Sequence, residues 1–366
     1  MDPLIFEKPG ILPDKELLHL FAQGAIAADR EPAPHQIQPA SLDLRLGRTA
    51  YRVRASFLPG PQATVQDKLV DMQMIEIDLR RGAVLETGCV YVVPVQEHLR
   101  LEPSLLGLAN PKSSTGRLDV FTRLITDRCD RFDTVTGGYH GPLYSEICPQ
   151  TFSIRVQEGS RLNQLRIRTV QGWAAPDLED LHARSRLVDG PATFIDGLAI
   201  RVDLAGSGPG DLIGYRAKRH AHVIDVDRAG GYEIEDYWEP IRANKHGNLV
   251  LDPDEFYILA SREAVHVPPD YAAEMAPFDA RVGEFRVHYA GFFDPGFGNA
   301  DAGGAGSRAV LEIRSHKVPF VLDDGQIVGR LIYEPLTSRP RELYGRAAGS
   351  NYQRQKLKLS KHFKSP

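Results

Sequence analysis

At 366 residues, 42% hydrophobic and 25% charged, the chain has the composition of an ordinary globular protein, and its length favours two domains over one. A net charge of −4 argues against a general nucleic-acid binder, and no apolar run is long enough to span a bilayer. Met1-Asp2-Pro3 opens no signal-peptide pattern, and Cys89, Cys129 and Cys148 are few and unclustered; no disulfide framework is expected, and the expected compartment is a reducing cytoplasm.

In chain order, the first predicted element is an amphipathic helix with Asp14 as N-cap, carrying Leu17, Leu18, Leu20 and Phe21 and ending at Gly24. Val90-Tyr91-Val92-Val93 reads as a strand. A second helix is predicted over 177–186, after the break at Pro176. Phe256-Tyr257-Ile258-Leu259, Ala309-Val310-Leu311-Glu312-Ile313 and the run 327–333 read as further strands. Thirty-three glycines and 26 prolines supply the turns between them. Short strands punctuated in this way predict a mainly β fold, a sandwich or distorted barrel rather than a βαβ sheet.

The chain is written twice. Val84-Leu85-Glu86 and Tyr91 recur as Val250-Leu251-Asp252 and Tyr257, a separation of 166 residues in both cases, and Glu146 recurs as Glu312 at the same separation. Ser153-Ile154-Arg155-Val156-Gln157-Glu158-Gly159 is echoed by Phe320-Val321-Leu322-Asp323-Asp324-Gly325. Solenoid repeats run to only about 20–50 residues, so a period this long means duplicated domains. The copies are placed at 1–171 and 193–366, with a partly helical linker over 172–192.

One segment breaks the symmetry. Ala109-Asn110-Pro111-Lys112-Ser113-Ser114-Thr115-Gly116-Arg117 sets two serine hydroxyls between two cations, chemistry suited to a polyphosphate, whose oxygens accept hydrogen bonds and whose charge the cations neutralise. The second copy reads Met275-Ala276-Pro277-Phe278-Asp279-Ala280-Arg281; it is two residues shorter and has lost both serines. That asymmetry points to a division of labour between the copies.

Together these residues resemble the trimeric dCTP deaminases related to dUTP diphosphatases. Gln38-Pro39-Ala40-Ser41-Leu42-Asp43-Leu44-Arg45-Leu46-Gly47 is similar to that family's opening strand motif, and Lys112-Ser113-Ser114-Thr115-Gly116-Arg117 to its R-S-S-x-x-R phosphate segment. In the second copy, Ala280-Arg281-Val282-Gly283 followed by Tyr289-Ala290-Gly291-Phe292-Phe293-Asp294-Pro295-Gly296-Phe297-Gly298 resembles the hairpin that holds base and deoxyribose, Val310-Leu311-Glu312 the strand of the catalytic glutamate, and Tyr344 with Gln355 the closing tail. The resemblance covers most of the chain, once per half, and implies two tandem dUTPase-like distorted β-barrel or jelly-roll domains. The chain departs from the pattern at Asn351, where the family has Lys, in the Gly- and Ala-rich insert 299–306, in the poorly matching stretch 127–138, and in carrying two copies at all.

The implied activity is hydrolytic conversion of dCTP to dUTP and ammonia. Zinc deaminases carry an H-x-E…P-C-x-x-C signature. This chain has none, and His140 and His288 stand alone, so no zinc is expected. A carboxylate then serves as general base and acid. Glu312 is the first choice and Glu146 the alternate; burial of a Glu in an apolar strand favours its protonated form. Against this, strand alternation puts Val310 and Glu312 on one face and Leu311 and Ile313 on the other, the pattern of a solvent-facing Glu. On this resemblance Lys112, Ser113, Ser114 and Arg117 are expected to hold the triphosphate, with Mg²⁺ bridging its oxygens, and Ser113 and Arg117 also to orient the water or Glu312. Tyr289 and Ala290 read cytosine through backbone groups, Asp294 takes the sugar hydroxyl, and Tyr344 and Gln355 form a lid. By analogy with the family, the site is composite, its loop and glutamate coming from unlike copies, and the protein is a homo-oligomer with dCTP and dUTP as its partners. Lys356, Lys358, Lys361 and Lys364 read as a solvated terminus or as added attraction for the triphosphate. A bifunctional deaminase–diphosphatase, a dUTP diphosphatase and a non-catalytic nucleotide binder are the alternatives, and the sequence leaves dCTP and dCMP unseparated.

Overall fold

The computed structural model describes residues 8–206, 211–277, 285–288, 291–315, 317–345 and 351–364, with backbone alone at 277 and 285–288. The first helix spans Asp14–Ala22 and its N-cap is Pro13, not Asp14. Asp14 is already helical, and its carboxylate accepts from the N–H groups of Lys15 (2.7 Å) and Arg341 (2.9 Å), so it fastens a distant stretch of chain. At the other end Gly24 lies at φ 72°, with Ala25 N–H donating to Leu20 O at 2.9 Å and Gly24 N–H to Phe21 O at 3.0 Å. That is the Schellman ending, which needs a residue able to enter the left-handed region. The linker helix is Leu178–Ser185, and the Asp177 carboxylate caps it by accepting from the Glu179 and Asp180 N–H groups. A third helix, Val65–Met72, escapes a search for apolar periodicity. Its signal is a capping box in which Thr64 and Asp67 satisfy each other's N–H groups.

The remaining structure is mainly β, in two compact units. The first unit contains a sheet ordered Gln73–Asp78, Thr49–Val53, Val90–Arg100, His140–Pro149, Val120–Thr126, and a second ordered Thr134–Val135, Leu105–Pro111, Arg161–Thr169, Ser41–Arg45, Ile37–Gln38. Ser41–Arg45 lies against Val90–Arg100, and Leu105–Pro111 against Val120–Thr126, so the two sheets enclose a core between them. The second unit repeats the plan: Trp238–Arg242, Leu212–Ala217, Phe256–Val265, Ser307–Ser315, Phe285–His288 form one sheet, and Leu198–Arg201, Ile327–Pro335, Tyr271–Pro277, Phe292–Phe293 the other.

The duplication extends to single hydrogen bonds. Glu146 pairs across the ladder with Val92, and Glu312 with Ile258, the residues expected from the 166-residue offset. The Glu86 N–H donates to the Tyr91 hydroxyl at 3.0 Å, and the Asp252 N–H to the Tyr257 hydroxyl at 3.0 Å. Burial raises the proton affinity of both tyrosines. A buried ion pair is duplicated too. Arg45 Nε donates to Glu97 at 2.7 Å in the first copy, and Arg201 Nη1 to Glu263 at 3.0 Å in the second.

The compact units do not cut the chain at a single point. The first comprises residues 1–173 together with 222–229 and 335–341; the second holds 174–221, 230–334 and 342–366. Ile224–Asp225 adds a parallel strand beside Ile154–Val156, locked by Arg155 Nη1 on Asp225 (2.7 Å) and by the Ser160 hydroxyl on Asp227 (2.6 Å). Leu336 bridges Ile11, with Ile11 N–H on Pro335 O and Thr337 N–H on Ile11 O, both at 2.9 Å. The approach is so close that a Cβ on Gly10 would stand 2.5 Å from Pro335 O, which accounts for glycine there.

Candidate active site

In the first unit, Leu105–Pro111 ends at Lys112, and the chain makes one helical turn, Ser113–Gly116, before Val120–Thr126 begins. Arg117 N–H donates to Ser113 O at 3.1 Å and closes that turn. Ser114 and Arg117 are buried, whereas Lys112 and Ser113 are partly open. The four proposed phosphate ligands therefore occupy one turn at the end of a strand.

Asp43 is a partner that sequence reasoning did not assign. It is 1% exposed on Ser41–Arg45, forms an ion pair with the Lys112 ammonium, and stands 3.7 Å from Arg161 Nη1. Its signal lay in the opening strand motif, but nothing local connects residues 69 apart in the chain.

Glu146 belongs to the same unit and is 1% exposed. The Arg123 guanidinium donates to its Oε1 through Nε (3.1 Å) and Nη2 (2.6 Å), and Nη2 also reaches the Ser56 hydroxyl at 2.8 Å. Arg123 stacks 3.5 Å from the centre of the Phe132 ring and 4.6 Å from that of Phe121. Arg123 is a second residue missed in the sequence. The stretch 127–138, a poor match to the base-binding hairpin, supplies Phe132 as a cover for this pair.

In the second unit Glu312 is 6% exposed, and its strand is buried on both faces: Leu311 and Ile313 are inaccessible, and Val310 is 8% exposed. Alternation therefore fails as a sign of solvent exposure here, because Phe256–Val265 and Phe285–His288 flank the strand and the face that carries Glu312 is covered as well. Opposite Glu312 in the ladder stands His288, where Arg123 stands opposite Glu146.

Asp294, Tyr344 and Gln355 lie in the same unit as Glu312. Asp294 is buried and opens a turn in which its carbonyl accepts from Phe297 N–H at 3.0 Å. Tyr344 N–H donates to Pro295 O at 2.8 Å, and its ring lies 5.6 Å from that of Phe297. Gln355 binds the backbone of Arg308, on the Glu312 strand, twice: Arg308 N–H to Gln355 O at 3.0 Å and Gln355 Nε2 to Arg308 O at 2.9 Å. Tail, hairpin turn and glutamate strand thus meet. The insert 299–306 receives the tail, with Gln353 Nε2 on Ala302 O (3.4 Å) and Arg354 Nε on Gly303 O (2.6 Å). Tyr289, Ala290 and Arg281 lie outside the described residues. A cavity of about 270 Å³ beside the tail is lined by Tyr215, Ile234, Lys356, Lys358 and Phe363 among others, but neither Asp294 nor Glu312 borders it.

Comparison with known proteins assigns both halves. The family model for the N-terminal domain of 2'-deoxycytidine 5'-triphosphate deaminase matches residues 8–171, and that for the C-terminal domain matches residues 174–363. A crystal structure of 2'-deoxycytidine 5'-triphosphate deaminase from Agrobacterium tumefaciens is 57% identical, with a TM-score of 0.86 over 90% of this chain and 99% of that one. Among curated relatives, the dCTP deaminase of Natronomonas pharaonis is 28% identical over 159 residues, covering 42% of this chain and 78% of the relative. The "dCTP deaminase, dUMP-forming" of Halobacterium salinarum is 30% identical over 127 residues, or 34% of this chain and 60% of the relative.

Proposed function

The chain belongs to the family of 2'-deoxycytidine 5'-triphosphate deaminases, and on that premise we propose that it hydrolyses dCTP to dUTP and ammonia with Glu312 as general base and acid. The observation that carries the role is a carboxylate only 6% exposed, set between two inaccessible apolar neighbours in a strand beside the docked tail. Glu312 takes a proton from water as its oxygen adds to C4. It passes that proton to N3, then takes the proton of the new C4 hydroxyl and gives it to the amino nitrogen, and the C4–N bond breaks to release ammonia as the C4 carbonyl forms. Carboxylate activation of water is the proposed route, since the sequence carries no zinc-deaminase signature. Lys112, Ser113, Ser114 and Arg117 bind the triphosphate, which brings its own Mg²⁺. Asp294 takes the sugar hydroxyl, Tyr289 and Ala290 the base, and Tyr344 and Gln355 close the site.

A second reading has one observation in its favour. The Halobacterium relative is named dUMP-forming, and Asp294 is a further buried carboxylate, suited to activating water at the α-phosphate. Incubation with dCTP and Mg²⁺, followed by separation of the products, decides between them. The expected products are dUTP and ammonia without pyrophosphate. Formation of dUMP with pyrophosphate would establish the bifunctional reaction, and nucleotide binding without ammonia release would leave a non-catalytic binder.

A further inference from the structure

We infer that Asp43 is a positioning residue of the phosphate loop, holding the Lys112 ammonium in place for a triphosphate. The inference rests on the reading of residues 112–117 as the triphosphate site.

Three observations carry it. The first is geometry: Asp43 is 1% exposed and forms an ion pair with Lys112, with the Arg161 guanidinium 3.7 Å away. An ammonium has three N–H donors. One of them spent on Asp43 leaves two for phosphate oxygens, on a side chain that would otherwise range over many rotamers. The second is rigidity. Asp43 N–H donates to Gln36 O at 2.9 Å, and Gln36 Nε2 returns a bond to Asp43 O at 2.9 Å while also holding Glu97 at 2.8 Å. Glu97 is the partner of Arg45. The backbone that carries the carboxylate gripping Lys112 is thereby tied, through Gln36, to a buried ion pair in the core.

The third is internal to the chain. The ladder pairs Leu165 with Leu42 and Gln164 with Asp43 in the first copy, and Leu331 with Leu198 and Arg330 with Ala199 in the second. Ala199 therefore stands where Asp43 does. Gly107 and Leu108 face Val135 and Thr134 as Ala273 and Glu274 face Phe293 and Phe292, so the 166-residue offset runs on to Pro277 for Pro111 and to Phe278 for Lys112. Asp43 and Lys112 are thus replaced together, by Ala199 and Phe278, in the copy that has lost both serines. The Arg45–Glu97 pair is kept as Arg201–Glu263. A pair that the fold needed would be retained with it; Asp43–Lys112 went with the phosphate chemistry instead.

The test is calorimetric titration of the full-length protein with inorganic tripolyphosphate. Lys112→Met and Asp43→Asn are each expected to weaken binding about tenfold, the scale of one charge-assisted contact. Combining them should add less than about twofold, because Asp43 acts through Lys112. Asp43→Ala with Lys112→Phe reproduces the second copy's pair, and this variant is expected to keep the wild-type melting temperature while losing tripolyphosphate binding. Wild-type affinity in Asp43→Asn, or losses that multiply in the double variant, would overturn the inference while the loop reading stands. No tripolyphosphate binding by the wild type, or none lost in Lys112→Met and Arg117→Ala, would overturn the loop reading and the inference with it.

Discussion

Glu146 and Glu312 occupy the same position in two copies of one sheet, yet their neighbours differ. Glu146 is engaged by Arg123, which is itself stacked between two phenylalanine rings, whereas the ladder sets His288 opposite Glu312. Glu312→Gln is therefore expected to reduce ammonia release by roughly 10²–10⁴-fold, the usual worth of a general acid–base group, with nucleotide binding retained. Glu146→Gln should leave turnover near normal and lower stability instead. Breaking a buried ion pair costs about 3–5 kcal/mol, and because the Arg123 side chain remains 24% exposed, a loss of roughly 2–3 kcal/mol is expected in thermal melts. Normal turnover in Glu312→Gln with inactivity in Glu146→Gln would move the chemistry to the first copy.

Among the elements, the tail is the one whose behaviour is least visible in the sequence. Its anchors fall in two stretches, 353–355 and the region of Phe363. Gln353 accepts from Gly298 N–H at 2.8 Å and donates to Gly296 O at 3.1 Å. Further on, Phe363 packs within 5.4–6.4 Å of the rings of Tyr237, Trp238 and Tyr232. Gln353→Ala should speed amide exchange over 351–355 and leave 360–364 protected, and Phe363→Ala should do the reverse; release of both stretches by either variant would make the tail one cooperative unit. The strands over 90–93, 256–259, 309–313 and 327–333, the duplication and the linker helix were legible because periodicity and a fixed offset encode them. The receiving segment for the tail was not, because residues 296–306 offer mainly backbone carbonyls and glycines. Gly298 lies at φ 68°, and a Cβ there would meet Val265 O at 2.0 Å, so the residue serves the turn and gives no hint of a docking role. The loop and Glu312 could be proposed from the sequence, but the contacts of Asp43 and Arg123 could not, since each finds its partner only through a long-range contact.

At the scale of the whole molecule, the two copies in the sequence and the two compact units differ by the segments 222–229 and 335–341, both of which belong to the first unit. A fragment ending at residue 173 would lack the Ile224–Asp225 strand and the Ile11–Leu336 bridge, which lie against Ile154 and Ile11, both buried in the full chain. The fragment is expected to melt without a cooperative transition, as followed by near-ultraviolet circular dichroism, whereas the full chain melts cooperatively. A sharp transition in the fragment would show that the borrowed segments are dispensable.

Those segments also set a timetable for synthesis. A domain built from the start of a chain ordinarily folds while the rest is still being made, at about 5–20 residues per second. Here the first unit includes residues 335–341, so it is expected to close only after they have left the ribosome, long after the rest of that unit has been made. Until then Ile11 and the edge of Ile154–Val156 are expected to stay uncovered, a surface that the nascent chain carries open.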